Sequence, residues 1–498
     1  MGAYPVLFLF AENAADQVTL EPLWEPLGIC LVAAAALLGV CFWLRRDWAR
    51  AGLMTTALLA LFFSYGHVWN VVAPYLGGQW PLTAAWIAAA IVLMALAWRG
   101  GRWVRPATQI LNVALLVLVA FNVASIGGYL ASTRLFPHST GEIPTVAVGE
   151  AGRPDIYYLI LDRYAGEKTL RDIYAYDNTP FLKALEDRGF TIAHDSWANY
   201  FKTAFSLVSS LSMEHLDPDR YKQSTPQTFG PIHAALQGRL AAPAALKTLG
   251  YEYVHIANWW EPSSENVDAD VIYRYSQYTE FSTALAATTM ALVLTPDAEP
   301  AADPETIDYP ELARRHVIYG FDAIELAGHR AGPTYTFAHL TIPHPPYVFD
   351  TDGSMPTPQE KADRPEKVEY IHQLEWANTR TLKMLDSILD VAPGEPEPIV
   401  ILQSDEGPWP PGFTANQEDF QWLEASDVEI AWKFNILNAY RMPGVDLESQ
   451  GFSDRTSPVN AFRILFNAYF GAHLVLLPDV TYLSPDYDHM YDMVEYPR

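Results

Sequence analysis

Cysteine is almost absent from this chain of 498 residues. Cys30 and Cys41 are the only two, and both lie in one apolar run near the start of the sequence. The rest of the chain therefore has neither disulfide bonds nor thiolate metal ligands. A large folded part must be stabilised by its hydrophobic core, and any chemistry there must use oxygen and nitrogen groups.

Basic residues are also scarce. The chain has 32 Lys and Arg against 58 Asp and Glu, which gives a formal net charge of -26. Residues 1–135 hold seven basic and five acidic residues, so the remainder carries a net charge of -28. A strongly acidic domain does not bind nucleic acid by general attraction. It would hold an anionic substrate only locally, with a metal ion or a few placed cations.

Charged side chains are missing from four long apolar runs in the first 135 residues. Each run is roughly long enough to span a bilayer: Leu27–Leu44, Leu53–Ala73, Leu82–Ala97 and Ile110–Leu130. A shorter run, Tyr4–Phe10, fits the end of a first helix whose start is missing or shortened. We interpret residues 1–135 as a transmembrane region. Without Asp, Glu, Lys or Arg in the runs, an ion path through them is disfavoured.

The arginines of this region predict its orientation. One cluster follows the first full run and a second follows the third, whereas the loop at residues 74–81 is uncharged. Loops rich in Arg face the cytoplasm, so the fourth run exits on the other side. We expect a multi-pass protein of the cytoplasmic (inner) membrane, with a linker at residues 136–153 and an extracytoplasmic domain at residues 154–498.

The pattern after Pro154 indicates an α/β domain. Short apolar segments typical of strands, such as Ile156–Leu161 and Ile399–Leu402, alternate with longer amphipathic segments. Two of the longer segments, Leu170–Arg188 and Ala234–Leu249, are predicted as helices. Such alternation favours a mostly parallel sheet covered on both faces, an α/β sandwich.

Acidic residues follow two of the predicted strands directly. Asp162 comes after Ile156–Leu161, and Asp405 and Glu406 come soon after Ile399–Leu402. Ligands of open α/β sheets gather at the carboxyl ends of the strands, so these acids predict a cation site. Each acid alone fits a helix cap or a turn equally well.

Thr203 stands at the start of a segment, Ala204–Met213, that has the spacing of a helix. A hydroxyl at a helix N-terminus is a candidate nucleophile for a phosphoryl or sulfuryl group, provided that a base or a metal activates it. An N-cap is the alternative role for a threonine at this place. Ser206, Ser209 and Ser210 are alternative nucleophiles.

Two histidines flank a proline-rich loop at the end of another predicted strand. His339 is the last residue but one of the predicted strand Tyr335–Leu340. His344 follows within the loop Pro343–Pro346. Either imidazole can bind a phosphate oxygen or protonate a leaving group. An unrelated surface histidine is the alternative for each.

Four motifs together resemble a known family. They are Tyr158–Asp162, Asn199–Thr203 before a serine-rich helix, His339–Tyr347 and Ser404–Gly407. In this order they resemble the alkaline phosphatase superfamily, in the sulfatase-like branch that contains sulfatases, lipoteichoic acid synthases and phosphoethanolamine transferases. The resemblance covers roughly residues 154–471, and membrane helices before an outer catalytic domain also look like the lipid-linked transferases of that branch.

The resemblance implies a metal-dependent site with a covalent step. Thr203 would be the nucleophile, and His339 and His344 would contact the transferred group or the leaving group. One divalent metal would be surrounded by four residues, Asp162, Thr203, Asp405 and Glu406. His473 and His489 are the only later histidines that a second metal would have, so one metal is expected.

The sequence departs from the family at Glu406, where the family usually has histidine. A third carboxylate makes the site harder and more negative, which shifts the preference from Zn²⁺ towards Mn²⁺, Mg²⁺ or Ca²⁺. The first functional hypothesis is a hydrolase or transferase acting on phosphate or sulfate esters of an envelope lipid or glycan. The second is an inactive sulfatase-like domain that binds an envelope glycan or a partner protein.

Overall fold

A computed structural model describes residues 1–13, 20–133, 139–147, 153–222, 227–275, 280–294, 310–417 and 419–497. The chain divides into two compact units, of which the first comprises Met1–Leu135 and Tyr278–Pro310 and the second comprises Phe136–Gln277 and Glu311–Arg498. Residues 136–138 and 148–152 of the predicted linker lie outside the described residues.

The first unit is built from apolar helices. Four of them are long and apolar enough to cross a membrane, as the four charge-free runs predicted. Among the described residues, the helices of its N-terminal part are Tyr4–Glu12, Glu21–Arg45, Trp48–Val72, the short Ala73–Tyr75, Trp80–Arg99 and Val104–Thr133. Two short helices from later in the chain, Glu280–Ala287 and Met290–Leu294, belong to the same unit.

All of the strands of the described residues lie in the second unit. In chain order they are β1 Ser139–Thr140, β2 Ile156–Leu161, β3 Thr191–Ile192, β4 Arg239–Leu240, β5 Glu252–Ile256, β6 Val271–Tyr273, β7 Thr334–Leu340, β8 Ile399–Gln403, β9 Asn438–Arg441, β10 Thr481–Leu483 and β11 Val494–Tyr496. Seven of them form one sheet in the order β3-β9-β8-β2-β7-β5-β6. The pairs from β8 to β6 are parallel, and β9 and β3 are antiparallel additions at one edge. The predicted mostly parallel α/β sheet is therefore confirmed.

The centre of the sheet explains why β2 reads as a continuous apolar run. β2 pairs in parallel with β7 on one side and with β8 on the other. All six of its side chains are buried, so both faces of the sheet are covered. A strand in this position must be apolar at every residue rather than at alternate ones.

The helices of the second unit are mostly short. They are Glu167–Tyr174, Thr179–Glu186, Thr203–Ser212, Pro218–Tyr221, Gly230–Gln237, Ala241–Thr248, Pro310–Ala327, Pro358–Asp363, Glu366–Leu389, Pro411–Ala415, Asp427–Phe434 and Ala461–Phe470. The prediction of one helix over Leu170–Arg188 is wrong, because the second of two helices begins just before Pro180. Proline has no N–H to continue a helix but fits its first turn. The prediction over Ala234–Leu249 is also wrong, since Gly238 and β4 separate two helices there.

Candidate active site

Three neighbouring strands bring polar side chains to one edge of the sheet. Asp162 directly follows β2, His339 is the last residue but one of β7, and Asp405 comes two residues after β8. The parallel register pairs Ile160 with His339, which puts these strand ends level with one another. One ligand atom from each of Asp162, His339 and Asp405 lies within 4.8 Å of the others.

The three side chains are buried, and two of their oxygens lack hydrogen-bond partners. His339 Nε2 lies 3.1 Å from Asp162 Oδ2. Among the described residues, however, Asp162 Oδ1 and Asp405 Oδ2 have no hydrogen-bond partner. A buried carboxylate oxygen without a partner is unfavourable unless a cation compensates it. This donor set, two carboxylates and an imidazole, therefore fits a divalent metal ion.

The two acids of this group have opposite pKa shifts. Burial, followed by the negative charges of Asp162 and Glu406, raises the pKa of the Asp405 carboxyl to about 7. Burial alone would raise the pKa of Asp162 as well, but His344, His339 and Arg163 hold it below its ordinary value. Groups with pKa values pushed apart in this way are typical of functional sites.

Hydrogen bonds at Nδ1 fix the orientation of the His339 ring. Its Nδ1 lies 2.9 Å from the Ser263 hydroxyl and 3.0 Å from Asn258 Nδ2. The amide of Asn258 also donates to the carbonyl of His339 at 2.8 Å. These contacts direct Nε2 towards the two acids, as contacts behind a metal-binding histidine do.

Thr203 lies beside this group as the first residue of the Thr203–Ser212 helix. Its hydroxyl lies close enough to the Asp405 carboxylate to lower the pKa of that acid against the effect of burial. The hydroxyls of Ser206, Ser209 and Ser210 instead donate to backbone carbonyls within or beside the same helix. Of the four candidate hydroxyls, the structure therefore places that of Thr203 against an acid of the group.

Glu406 points to a different set of partners. Its Oε1 forms an ion pair with Lys433 Nζ at 2.8 Å and accepts a hydrogen bond from Arg163 Nε at 3.2 Å. Glu406 and Lys433 have no exposed surface, and burial lowers the pKa of the Lys433 ammonium to about 8 although Glu406 opposes this. Glu406 lies outside the group formed by the other two acids and His339, and it is paired with buried cations. Its Oε2 has no hydrogen-bond partner among the described residues, so its role as a metal ligand stays a prediction.

Gly407 makes this ion pair sterically possible. Its N–H donates to the carbonyl of Lys433 at 2.7 Å. A Cβ at this position would lie 2.5 Å from the carbonyl oxygen of Trp432. Only glycine lets the two backbones approach so closely, and this approach carries Lys433 to Glu406.

Arg163 is the residue that sequence reasoning missed most clearly. Its backbone is left-handed, with φ 60°, and the hydroxyl of Tyr370 donates to its carbonyl at 2.9 Å. The guanidinium lies 3.4 Å from the ring centroid of Trp409, in cation–π contact. The one available signal was that Arg163 follows Asp162 directly, and nothing in the sequence tied it to Glu406 or Lys433.

His344 lies on the loop after β7, close enough for its charge to lower the pKa of Asp162. Its ring stands between Trp259 and Trp409, with both centroid distances 6.3 Å. Gln373 holds this loop, because its amide donates to the carbonyls of Pro343 and His344 and accepts from Val348 N. His344 is thus a buried histidine at the border of the site.

Comparisons with known proteins were made by sequence and by structure. No protein-family model matches this chain, and no curated protein matches it by sequence. The solved structures that it resembles include the C-terminal periplasmic domain of EcEptC from Escherichia coli in complex with zinc. The two are 12% identical with a TM-score of 0.45, and the alignment covers 70% of this chain and 97% of that domain.

Two further neighbours extend this picture. The integral membrane lipooligosaccharide phosphoethanolamine transferase A from Neisseria meningitidis is 12% identical over 94% of both chains, with a TM-score of 0.42. A protein in the alkaline phosphatase superfamily from Vibrio parahaemolyticus is 12% identical with a TM-score of 0.40, and the alignment covers 66% of this chain and 70% of that one. The structural neighbours are thus members of the groups that the sequence motifs resemble.

Proposed function

We propose that this protein is a membrane-anchored, metal-dependent enzyme that transfers or hydrolyses phosphate or sulfate esters outside the cytoplasmic membrane. The observation that supports it most is the buried group of Asp162, His339 and Asp405, with the Thr203 hydroxyl close enough to Asp405 to lower its pKa. A metal-ligand group beside a hydroxyl at a helix N-terminus is the arrangement that nucleophilic transfer of an anionic group requires.

The metal would be held by Asp162, His339 and Asp405, with Thr203 adjacent. When bound, it would supply positive charge to the reacting oxygens and lower the pKa of a hydroxyl. Mn²⁺ fits two carboxylates and one imidazole better than Mg²⁺ or Ca²⁺, which take oxygen ligands. Zn²⁺ accepts the same donors, and a competition measurement decides between them.

Thr203 would carry the transferred group. Its oxygen would form a bond to phosphorus or sulfur while the ester bond of the substrate breaks, and its proton would pass to the nearby Asp405 carboxylate. His344, at the border of the site, would donate a proton to the departing oxygen. Water or an acceptor hydroxyl would then take the group from Thr203 and regenerate the enzyme.

The substrate class follows from the membrane unit and from charge. Four helices that are long and apolar enough to cross a membrane support a location at a lipid surface, so an envelope lipid or glycan bearing phosphate or sulfate is the proposed substrate. The arginine clusters favour an extracytoplasmic second unit. The strong negative charge of that unit makes nucleic acid an unsuitable partner.

Turnover of p-nitrophenyl phosphate and p-nitrophenyl sulfate by the full chain in detergent with Mn²⁺ tests this function. Thr203→Ala should abolish turnover, and Thr203→Ser should retain part of it because the hydroxyl remains. Ser206→Ala is the matched control and should stay active, since its hydroxyl donates to the Tyr200 carbonyl. An active Thr203→Ala protein would exclude the nucleophile. A parent protein that cleaves no ester with any metal would favour the inactive glycan- or protein-binding domain instead.

A further inference from the structure

A segment from the middle of the chain returns to the membrane unit. Tyr278–Pro310 belongs to the first unit, and it contains the short helices Glu280–Ala287 and Met290–Leu294. From Phe281 to Leu294 the sequence has no charged residue. Such a run is too short to cross a bilayer, and apolar runs of about 10–14 residues are typical of buried, interfacial or re-entrant segments.

This segment, residues 280–294, packs against the helix bundle at two places. Phe281 and Leu285 lie in one buried cluster with residues of three membrane-unit helices: Val6, Leu7, Phe10, Leu23 and Ile126. Leu292 lies in a second cluster with Tyr65, Trp69 and Leu82. All of the long helices contribute near the ends that lie away from the arginine clusters. The segment thus covers the outer end of the bundle.

A backbone contact fixes the middle of the segment. The N–H of Gly66, in the Trp48–Val72 helix, donates to the carbonyl of Thr288 at 3.0 Å. A Cβ at Gly66 would lie 2.0 Å from the carbonyl oxygen of Ala287, so no larger residue fits. Gly52 in the same helix differs, since a Cβ there would meet a Thr108 methyl at 3.4 Å. Small residues permit this close packing of helices in membranes.

Exposed aromatic side chains lie near the same helix ends as the segment. Trp24, Tyr75 and Trp80 are 59%, 85% and 77% exposed. They are close in sequence to Leu23 and Leu82, which lie in the same two buried clusters as the segment. Exposed Trp and Tyr at helix ends are typical of the boundary between lipid head groups and acyl chains.

We propose that residues 280–294 form a membrane-binding element in the outer leaflet, with phospholipid at the head-group boundary as its partner. Ala284 is exposed on this element and would face the lipid. The chain then passes between the two units three times, after residues 135, 277 and 310. The second unit is therefore attached to the bilayer at a second place besides its N-terminal connection. This inference rests on the orientation in the proposed function and does not depend on catalysis.

Fluorescence quenching in nanodiscs of phosphatidylethanolamine and phosphatidylglycerol tests the proposal on the full chain. In a variant without Cys30 and Cys41, three exposed alanines are replaced singly by cysteine and labelled with a nitrobenzoxadiazole dye: Ala35, Ala284 and Ala362. Ala35 lies in a membrane helix and Ala362 in the second unit. Lipids with a spin label near the head group should quench the dye at Ala284 about twofold or more above the dye at Ala362.

The three sites separate the outcomes. Quenching at Ala35 by lipids that carry the spin label on the acyl chain, with no quenching at Ala284 by head-group-labelled lipids, would overturn the membrane-binding element and leave the membrane helices intact. Absence of quenching at both would overturn the membrane placement itself, and with it this proposal. Neither result depends on whether the protein turns over an ester.

A matched pair of glycine variants tests the docking contact. Gly66→Ala should displace the segment, so that quenching of the Ala284 dye by lipid falls and quenching by aqueous iodide rises. Gly52→Ala should change neither value, because its Cβ meets only ordinary contacts. An equal effect of the two variants would overturn the docking contact.

Discussion

Replacing Glu406 by glutamine decides whether this residue is an ion-pair partner or a metal ligand. Its Oε1 lies 2.8 Å from Lys433 Nζ, and both side chains are fully buried. At this separation and an effective dielectric constant of about 20, the attraction is about 6 kcal/mol. Desolvation of the two ions opposes it by several kcal/mol each. The net contribution of the pair is therefore small, but either charge left alone is costly.

We expect Glu406→Gln to lower the free energy of unfolding by about 3–5 kcal/mol, because Lys433 and Arg163 would remain as buried cations. Lys433→Met should cost less, near 3 kcal/mol, since Arg163 still contacts Glu406 at 3.2 Å. At about 2 °C per kcal/mol, each variant should melt several degrees below the parent. The double variant Glu406→Gln with Lys433→Met should recover part of the loss, because the buried ammonium is removed together with its partner. Arg163 still loses Glu406 and lies 4.0 Å from Asp162.

The assay is thermal unfolding of the full chain in detergent, with elemental analysis of the metal in each variant. Glu406→Gln should keep the metal content of the parent, whereas Asp405→Asn should lose it. Loss of metal in Glu406→Gln without a fall in melting temperature would refute the ion-pair assignment and return Glu406 to the ligand set. Additive losses in the double variant would show that Glu406 and Lys433 do not interact.

Three further predictions concern pH, the histidine loop and topology. The pKa of Asp405 is about 7 in the folded protein and about 3.9 in the unfolded chain. Metal-free protein should therefore lose stability as pH rises from about 4 to about 7, and Asp405→Asn should flatten this dependence in melts with chelator. Gln373→Leu should lower turnover and cost about 2–5 kcal/mol, because it leaves buried backbone groups of the His344 loop unpaired; unchanged kcat would refute its positioning role. A reporter active only in the cytoplasm and fused after Arg498 should be inactive, and strong activity would reverse the orientation.

The central strands were predictable because a strand that is buried on both faces is apolar at every position, and this pattern is visible in the sequence. Ile156–Leu161 is apolar at every position and is found as β2 with the predicted bounds. The acids after such strands follow from the same logic, since parallel strands end at one edge. Asp162 and Asp405 therefore meet as the pattern indicated.

The partners of Glu406 were not predictable, because they depend on tertiary contacts between distant segments. Lys433 reaches the acid only through the close approach of its backbone to Gly407. Arg163 reaches it through a left-handed turn that Tyr370 stabilises. Neither contact follows from a periodic pattern or a fixed spacing of residues, which are the only signals that a single sequence offers.

The return of residues 280–294 to the membrane unit was also missed. Its apolar run lies inside an otherwise soluble α/β pattern and is shorter than a membrane span. By composition alone such a run is indistinguishable from a core helix. Its contacts with Gly66 and Phe10 identify its place.

Anomalous diffraction from crystals of the full chain soaked with Mn²⁺ tests the central claim most directly. The account predicts one strong peak bounded by Asp162, His339 and Asp405, with the Thr203 hydroxyl beside it and Glu406 still paired with its lysine. No peak at that place, or a peak held by other residues, would contradict the account.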